Sequence, residues 1–181
     1  MYKKNIAVVG GMRNVNVKVG RLIAEELGMR VMTVEDAIEY FINPDIPSVN
    51  DIPSVIRDNG VDYYYTLEEE VVPTLMECNN TVIATTGSMA LNPELIERLS
   101  EESYIVLLWA DDDTTLRRID KDLRCHIKDD ILEKRHSLLR NIREKIAPLA
   151  DIRVNTTMIM PNEAKDLVID ELARMVNDEQ F

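Results

Sequence analysis

Short apolar runs alternate with amphipathic stretches along this chain. Residues 5–10 run apolar into a glycine, the pattern of a strand buried on both faces. Over residues 16–28, Val19, Leu22, Ile23 and Leu27 share one helical face and Gly28 is a stop. Residues 30–34 read as a second strand, and Thr33 with Asp36 forms a cap for a helix over 35–42. Pro44, Pro47 and Pro53 mark residues 43–62 as a loop carrying one short helix over 51–58. Tyr64, Leu67, Val71 and Leu75 predict a helix over 62–78, followed by a buried strand over 81–85. Asn92, Pro93 and Glu94 open a helix to about Leu99, as N-cap, first-turn proline and acidic first turn. The most apolar run, 104–109, is a fourth strand, and helices are predicted over 112–119 and 128–148. A fifth strand over 152–155 and a helix over 161–177 close the chain. Strands alternating with helices predict an α/β fold with a parallel sheet.

Composition adds bounds. The 181 residues suit a single domain, with 45% hydrophobic and 30% charged residues. No apolar run approaches the roughly 20 residues of a membrane span, and the five-residue run near Met1 is too short for a signal segment. Lysine and arginine total 21 against 33 acidic residues, a net charge of −12, which argues against nucleic acid and anionic membrane surfaces as partners. Cys78 and Cys125 lack zinc or disulfide spacing, which fits a reducing, cytoplasmic setting.

Ligands of open parallel sheets bind at the carboxyl ends of the strands. The first strand-to-helix turn, from Gly10 to Gly20, reads GGMRNVNVKVG. A phosphate-binding loop there would read GxxxxGK[ST]. In that frame Val15 replaces glycine, Asn16 replaces lysine and Val17 replaces Ser/Thr. Lys18 falls two residues late for the lysine. By itself, this turn is not a nucleotide site.

Four stretches, in order and covering nearly the whole chain, resemble the shikimate kinase family of small P-loop kinases. They are residues 5–27, with Gly10, Met12 and the run 19–27; residues 63–71, similar to the family's "YFRELEEEVL"; residues 82–94, similar to "VIATGGG…LNPE"; and residues 150–156, similar to "ADIVVDT". The resemblance implies a three-layer α/β/α domain over 1–181 with a five-stranded parallel sheet in the order 2-3-1-4-5. It also implies a substrate-binding-type segment over about 35–62 and a lid-type segment over about 120–128.

Carried over residue by residue, the family's chemistry is largely replaced. The degenerate phosphate loop holds Gly10, Arg13, Val15, Asn16 and Val17, with no lysine and no hydroxyl for magnesium. The magnesium-supporting carboxylate is Thr33, and the carboxylate for substrate hydroxyls is Glu35. Tyr65 stands for a substrate arginine, and Thr86, Gly87 and Ser88 for a glycine triplet. The second substrate arginine aligns with Arg135 or, without an insertion, Arg143. Arg124 remains in the lid.

The resemblance with these replacements implies a non-catalytic member, a pseudoenzyme in a transferase family of aromatic amino acid biosynthesis. It would bind a small molecule or a protein partner. No cofactor is expected and no catalytic or metal residue is assigned. The alternative is an ATP-dependent small-molecule kinase with an atypical nucleotide site, and only there would ATP and magnesium enter. The remaining features have plainer readings. Glu68, Glu69 and Glu70 are expected on a solvated helix face. One of Tyr63, Tyr64 and Tyr65 is expected in the core. Asp111 to Asp113 are expected to cap a helix, His126 and His136 to be structural, and Arg13 to be a solvated loop residue or an anion donor.

Overall fold

A computed structural model describes residues 3–42, 52–121 and 132–178. Five strands, β1 (Asn5–Val9), β2 (Arg30–Thr33), β3 (Thr81–Ala84), β4 (Ser103–Trp109) and β5 (Ile152–Asn155), form one sheet. Its order is β2-β3-β1-β4-β5 and every pairing is parallel, so β1 is central as its apolar run predicts. In β1 and β4 successive side chains enter different cores. Ala7, Val9, Ile105 and Leu107 face one core, and Ile6, Val8, Val106 and Leu108 the other. That two-sided burial explains why these strands read as continuous apolar runs.

Helices α1 (Arg13–Leu27) and α9 (Pro161–Asp178) cover one face through Val19, Ile23, Ala164 and Val168. Gly20 lets α1 settle onto the sheet, since a Cβ there would already touch the Ala84 Cβ at 3.4 Å. The other face carries α2 (Val34–Ile42), α3 (Ile52–Asn59), α4 (Val61–Glu70), α5 (Val72–Met76), α6 (Pro93–Ser100), α7 (Asp112–Lys121) and α8 (Leu132–Asn141). Thr33 and Asp36 cap α2 reciprocally: the Thr33 N–H donates to Asp36 at 3.1 Å, and the Asp36 N–H to the Thr33 hydroxyl at 3.0 Å. Asp111 caps α7 by accepting the Thr114 N–H at 2.7 Å.

Three elements differ from the sequence expectation. Helix α1 begins at Arg13, not at residue 16. The predicted helix over 62–78 is two helices that join at Val71, where Pro73 sits in the first turn of α5 and removes a backbone donor. The helix predicted to residue 148 ends as α8 at Asn141, followed by a π turn over Ile142–Ile146 and a 3₁₀ turn over Ala147–Leu149. Residues 43–51 of the substrate-type segment, and Arg124, Cys125 and His126 of the lid-type segment, lie outside the described residues.

Candidate functional site

The carboxyl ends of β1 and β3 meet at the turn singled out by its glycines. Only Gly10, Gly11 and Met12 separate β1 from α1. The N–H groups of Val15 and Asn16 both donate to the Met12 carbonyl, at 3.1 and 3.0 Å, and wind the expected loop into helix. Gly87 packs across this helix start. A Cβ on it would lie 2.7 Å from the Gly11 carbonyl oxygen and 3.7 Å from the Arg13 nitrogen. Gly10 is held as closely against β4, where a Cβ would meet the Leu108 carbonyl oxygen at 2.3 Å.

Asn16 takes the lysine position of the phosphate-loop frame, and it points inward. It is fully buried, and its amide donates to the carbonyls of Gly10 and Thr85, both at 3.1 Å. Val15 packs against both cores, Val17 is half-buried, and Lys18 lies exposed on the next turn. The Thr33 hydroxyl is already engaged in the α2 cap. Phosphate binding needs open backbone N–H groups and a cation, and magnesium needs an oxygen ligand. At the positions of the phosphate-loop lysine and hydroxyl, buried Asn16 and half-buried Val17 supply neither a cation nor a metal-binding hydroxyl.

The substrate-type residues come together, but around each other. Arg13 pairs with Glu35, which is 8% exposed. Arg13 is therefore the first residue of a helix, half-buried, with its guanidinium Nε on Glu35. Beside this pair stands Glu68, the clearest departure from expectation. It is not on a solvated face but 2% exposed, where it accepts the Thr86 hydroxyl and, at 2.6 Å, the Ser88 hydroxyl. Burial pushes its carboxyl up to about 7, against the pull of hydrogen bonds from Ser88, Thr86 and Tyr64. Tyr64 is the core tyrosine of the trio, and burial and then the Glu68 charge raise its phenol well above the ordinary value. Tyr63 is exposed, and half-buried Tyr65 lies under the Lys134 ammonium, 5.2 Å from its ring centre.

Arg135 pairs with Asp120 at 2.9 Å, and Arg143 with Asp112 at 2.7 Å. His136 is exposed on α8. Among the described residues no group of three or more His, Cys, Asp or Glu side chains could hold a metal ion.

An open space lies on the other side of β1, and sequence reasoning missed it. A cavity of about 600 Å³ sits where the chain leaves β1 and β4. Met12, Leu139 and Ile142 line it together with the charged Asp111, Arg118 and Arg143. Helix α1 follows β1 onto one face and α7 follows β4 onto the other. The loops part there, which is the switch point where open α/β sheets take ligands. The signal was the strand order combined with apolar residues on both flanking helices.

The parallel sheet in this order, with helices on both faces, defines the P-loop kinase class of fold. A profile of the family described as shikimate kinase matches residues 17–175, and the chain belongs to that family. It is 30% identical over 175 residues to a shikimate kinase of Thermoanaerobacter pseudethanolicus, covering 96% of this chain and 94% of that one. A shikimate kinase of Caldicellulosiruptor bescii is 27% identical over 169 residues, covering 92% and 94%. The crystal structure of shikimate kinase from Aquifex aeolicus shares the fold with a TM-score of 0.76 at 24% identity, covering 93% of this chain and 96% of that chain. Among the described residues no helix is long and apolar enough to cross a membrane.

Proposed function

We propose that this chain is a non-catalytic member of the shikimate kinase family that binds a small molecule. The observation that carries this reading is the first turn of α1. It is wound into helix from Arg13, overlaid by Gly87 and locked by buried Asn16. Phosphoryl transfer is almost entirely positioning and charge stabilisation, and losing one preorganised donor costs about 10²–10³ in rate. Here the loop lysine, the magnesium hydroxyl and the magnesium-supporting carboxylate are replaced together by Asn16, Val17 and Thr33. Tyr65 lacks the fork of donors with which an arginine grips a carboxylate. Cysteines without pairing spacing suit a protein of the cytoplasm.

The second reading is a working small-molecule kinase with an atypical nucleotide site. It is favoured by full-length similarity to relatives named shikimate kinase. ADP release with shikimate and Mg-ATP, measured by a coupled assay, decides between them. The expected result is background. Turnover in the usual kinase range of about 1–100 per second would establish the second reading.

A further inference from the structure

We propose that Glu68 is a proton-operated latch on the first turn of α1: with its proton it keeps the turn over residues 86–88 seated on that helix start, and without it the turn lifts. This goes beyond the proposed function, because it concerns what holds the helix start closed and not what the chain binds.

The turn after β3 works on two sides. Its backbone lies on α1, where Gly87 stands so close to the Gly11 carbonyl that a Cβ would come within 2.7 Å of it. Its side chains reach the other way, into α4. The Thr86 and Ser88 hydroxyls both donate to Oε1 of Glu68, Ser88 at 2.6 Å, and Ser88 also bonds Thr86 at 3.2 Å. The two ends of the segment are pinned elsewhere. The Thr85 N–H donates to the Val8 carbonyl at 3.0 Å, and the Asn141 amide donates to the carbonyls of Ala90 and Leu91 at 3.2 and 3.0 Å. The piece between the pins is therefore anchored on its side-chain face by a single carboxyl group.

That anchor is an acid at 2% exposure, and its hydrogen-bond partners are all hydroxyls, those of Thr86, Ser88 and Tyr64. The charged groups around it do not neutralise it. Glu35 of α2 is a like charge, Arg13 of α1 is engaged with Glu35, Lys134 of α8 lies over the Tyr65 ring, and Arg135 of α8 pairs with Asp120. A hydroxyl either donates or accepts, so these contacts satisfy the protonated acid. A buried carboxylate without a cation is costly, and losing the proton favours any movement that brings the group to water. The side chains closing over it belong to the turn. Burial holds the carboxyl at about 7 in the closed state, against an ordinary value of 4.5. Opening therefore grows more favourable as pH rises from about 4.5 and levels off above 7.

Native-state hydrogen exchange on the full-length protein tests this, at pH 6 and 8 and at several denaturant concentrations below unfolding. After correction for intrinsic rates, protection of the Val15, Asn16, Met89 and Ala90 amides should fall about tenfold from pH 6 to pH 8. It should do so without a denaturant slope, because a local opening exposes little surface. Glu68→Gln should abolish the pH dependence. Ser88→Ala removes one tie and should lower protection at both pH values about fivefold or more while the pH dependence stays. Protection that does not change with pH at either place would overturn the proposal, as would a Glu68→Gln variant with the parent's dependence. So would exchange at these amides that merges with that of β1 and β4, which would mean global unfolding alone. No nucleotide is in the sample, so turnover in the kinase assay would defeat the non-catalytic reading separately.

Discussion

Glu68 shows how a single side chain can hide in a composition. Three consecutive glutamates read as solvent-facing, yet Glu68 is four residues after buried Tyr64 and three before buried Val71, which is one stripe of a helix. The register that located the core tyrosine therefore also located Glu68, and only its chemistry argued otherwise. The hydroxyls of Thr86 and Ser88 that receive it come from a turn 18 and 20 residues away, a pairing no local pattern encodes. Its titration has a definite sign. In the folded chain the carboxyl holds its proton up to about 7, whereas an unfolded carboxyl releases it near 4.5. Between those values the folded state binds more protons, so stability from this group is present below about pH 4.5 and falls as pH rises through 7. The loss is at most on the order of 3 kcal/mol. Glu68→Gln keeps the shape and removes the titration. Denaturant unfolding between pH 5 and 8 should give a flatter stability profile for the variant than for the parent, and parallel profiles would show that Glu68 does not titrate there.

At the scale of elements, the start of α1 carries most of the functional argument. Sequence periodicity began the helix at residue 16 because its apolar stripe begins at Val19. The three earlier residues are helical for reasons periodicity does not register: two N–H groups share the Met12 carbonyl, and Asn16 ties the turn to β3. The replacement of lysine by Asn16 was legible from the motif frame. Its inward orientation was not, because it depends on the carbonyls of Gly10 and Thr85 converging from two strands. A variant series tests that architecture. Asn16→Ala leaves two buried carbonyls without their donor and should cost about 2–4 kcal/mol. Asn16→Lys puts a charge at a fully buried position and should cost more than Asn16→Ala. If instead the lysine variant is as stable as the parent, the first turn opens readily and the side chain reaches solvent. Similarly, the break between α4 and α5 was signalled by Pro73, which the strong apolar spacing around it outweighed.

The whole molecule was more legible than its site. The sequence pattern placed all five strands; β1, β3 and β4 stand out because burial on both faces leaves few polar positions in them, whereas the edge strands β2 and β5 carry exposed Arg30, Arg153 and Asn155. Strand order came from the resemblance rather than from periodicity, and the observed sheet agrees with it. Of the site, the replaced residues could be named in advance. The cavity could not, since it forms between helices that follow different strands to opposite faces. The turn after β1 is filled by helix and by Gly87, and the open space beside it mixes apolar side chains with Asp111, Asp112, Arg118 and Arg143. A ligand at 100 times its Kd stabilises the folded state by about 2.7 kcal/mol. For a chain of this size that corresponds to a rise in melting temperature of roughly 5–10 °C. Millimolar Mg-ATP or Mg-ADP should produce no such rise here, while a relative such as the Aquifex aeolicus shikimate kinase serves as the positive control in the same buffer. The comparison must include magnesium-free samples, because nonspecific nucleotide binding would not need the metal. A magnesium-dependent rise in this chain would mean that the first turn of α1 unwinds to receive phosphate. The Asn16→Lys variant would then show a larger rise than the parent, because the opened turn would carry the missing cation.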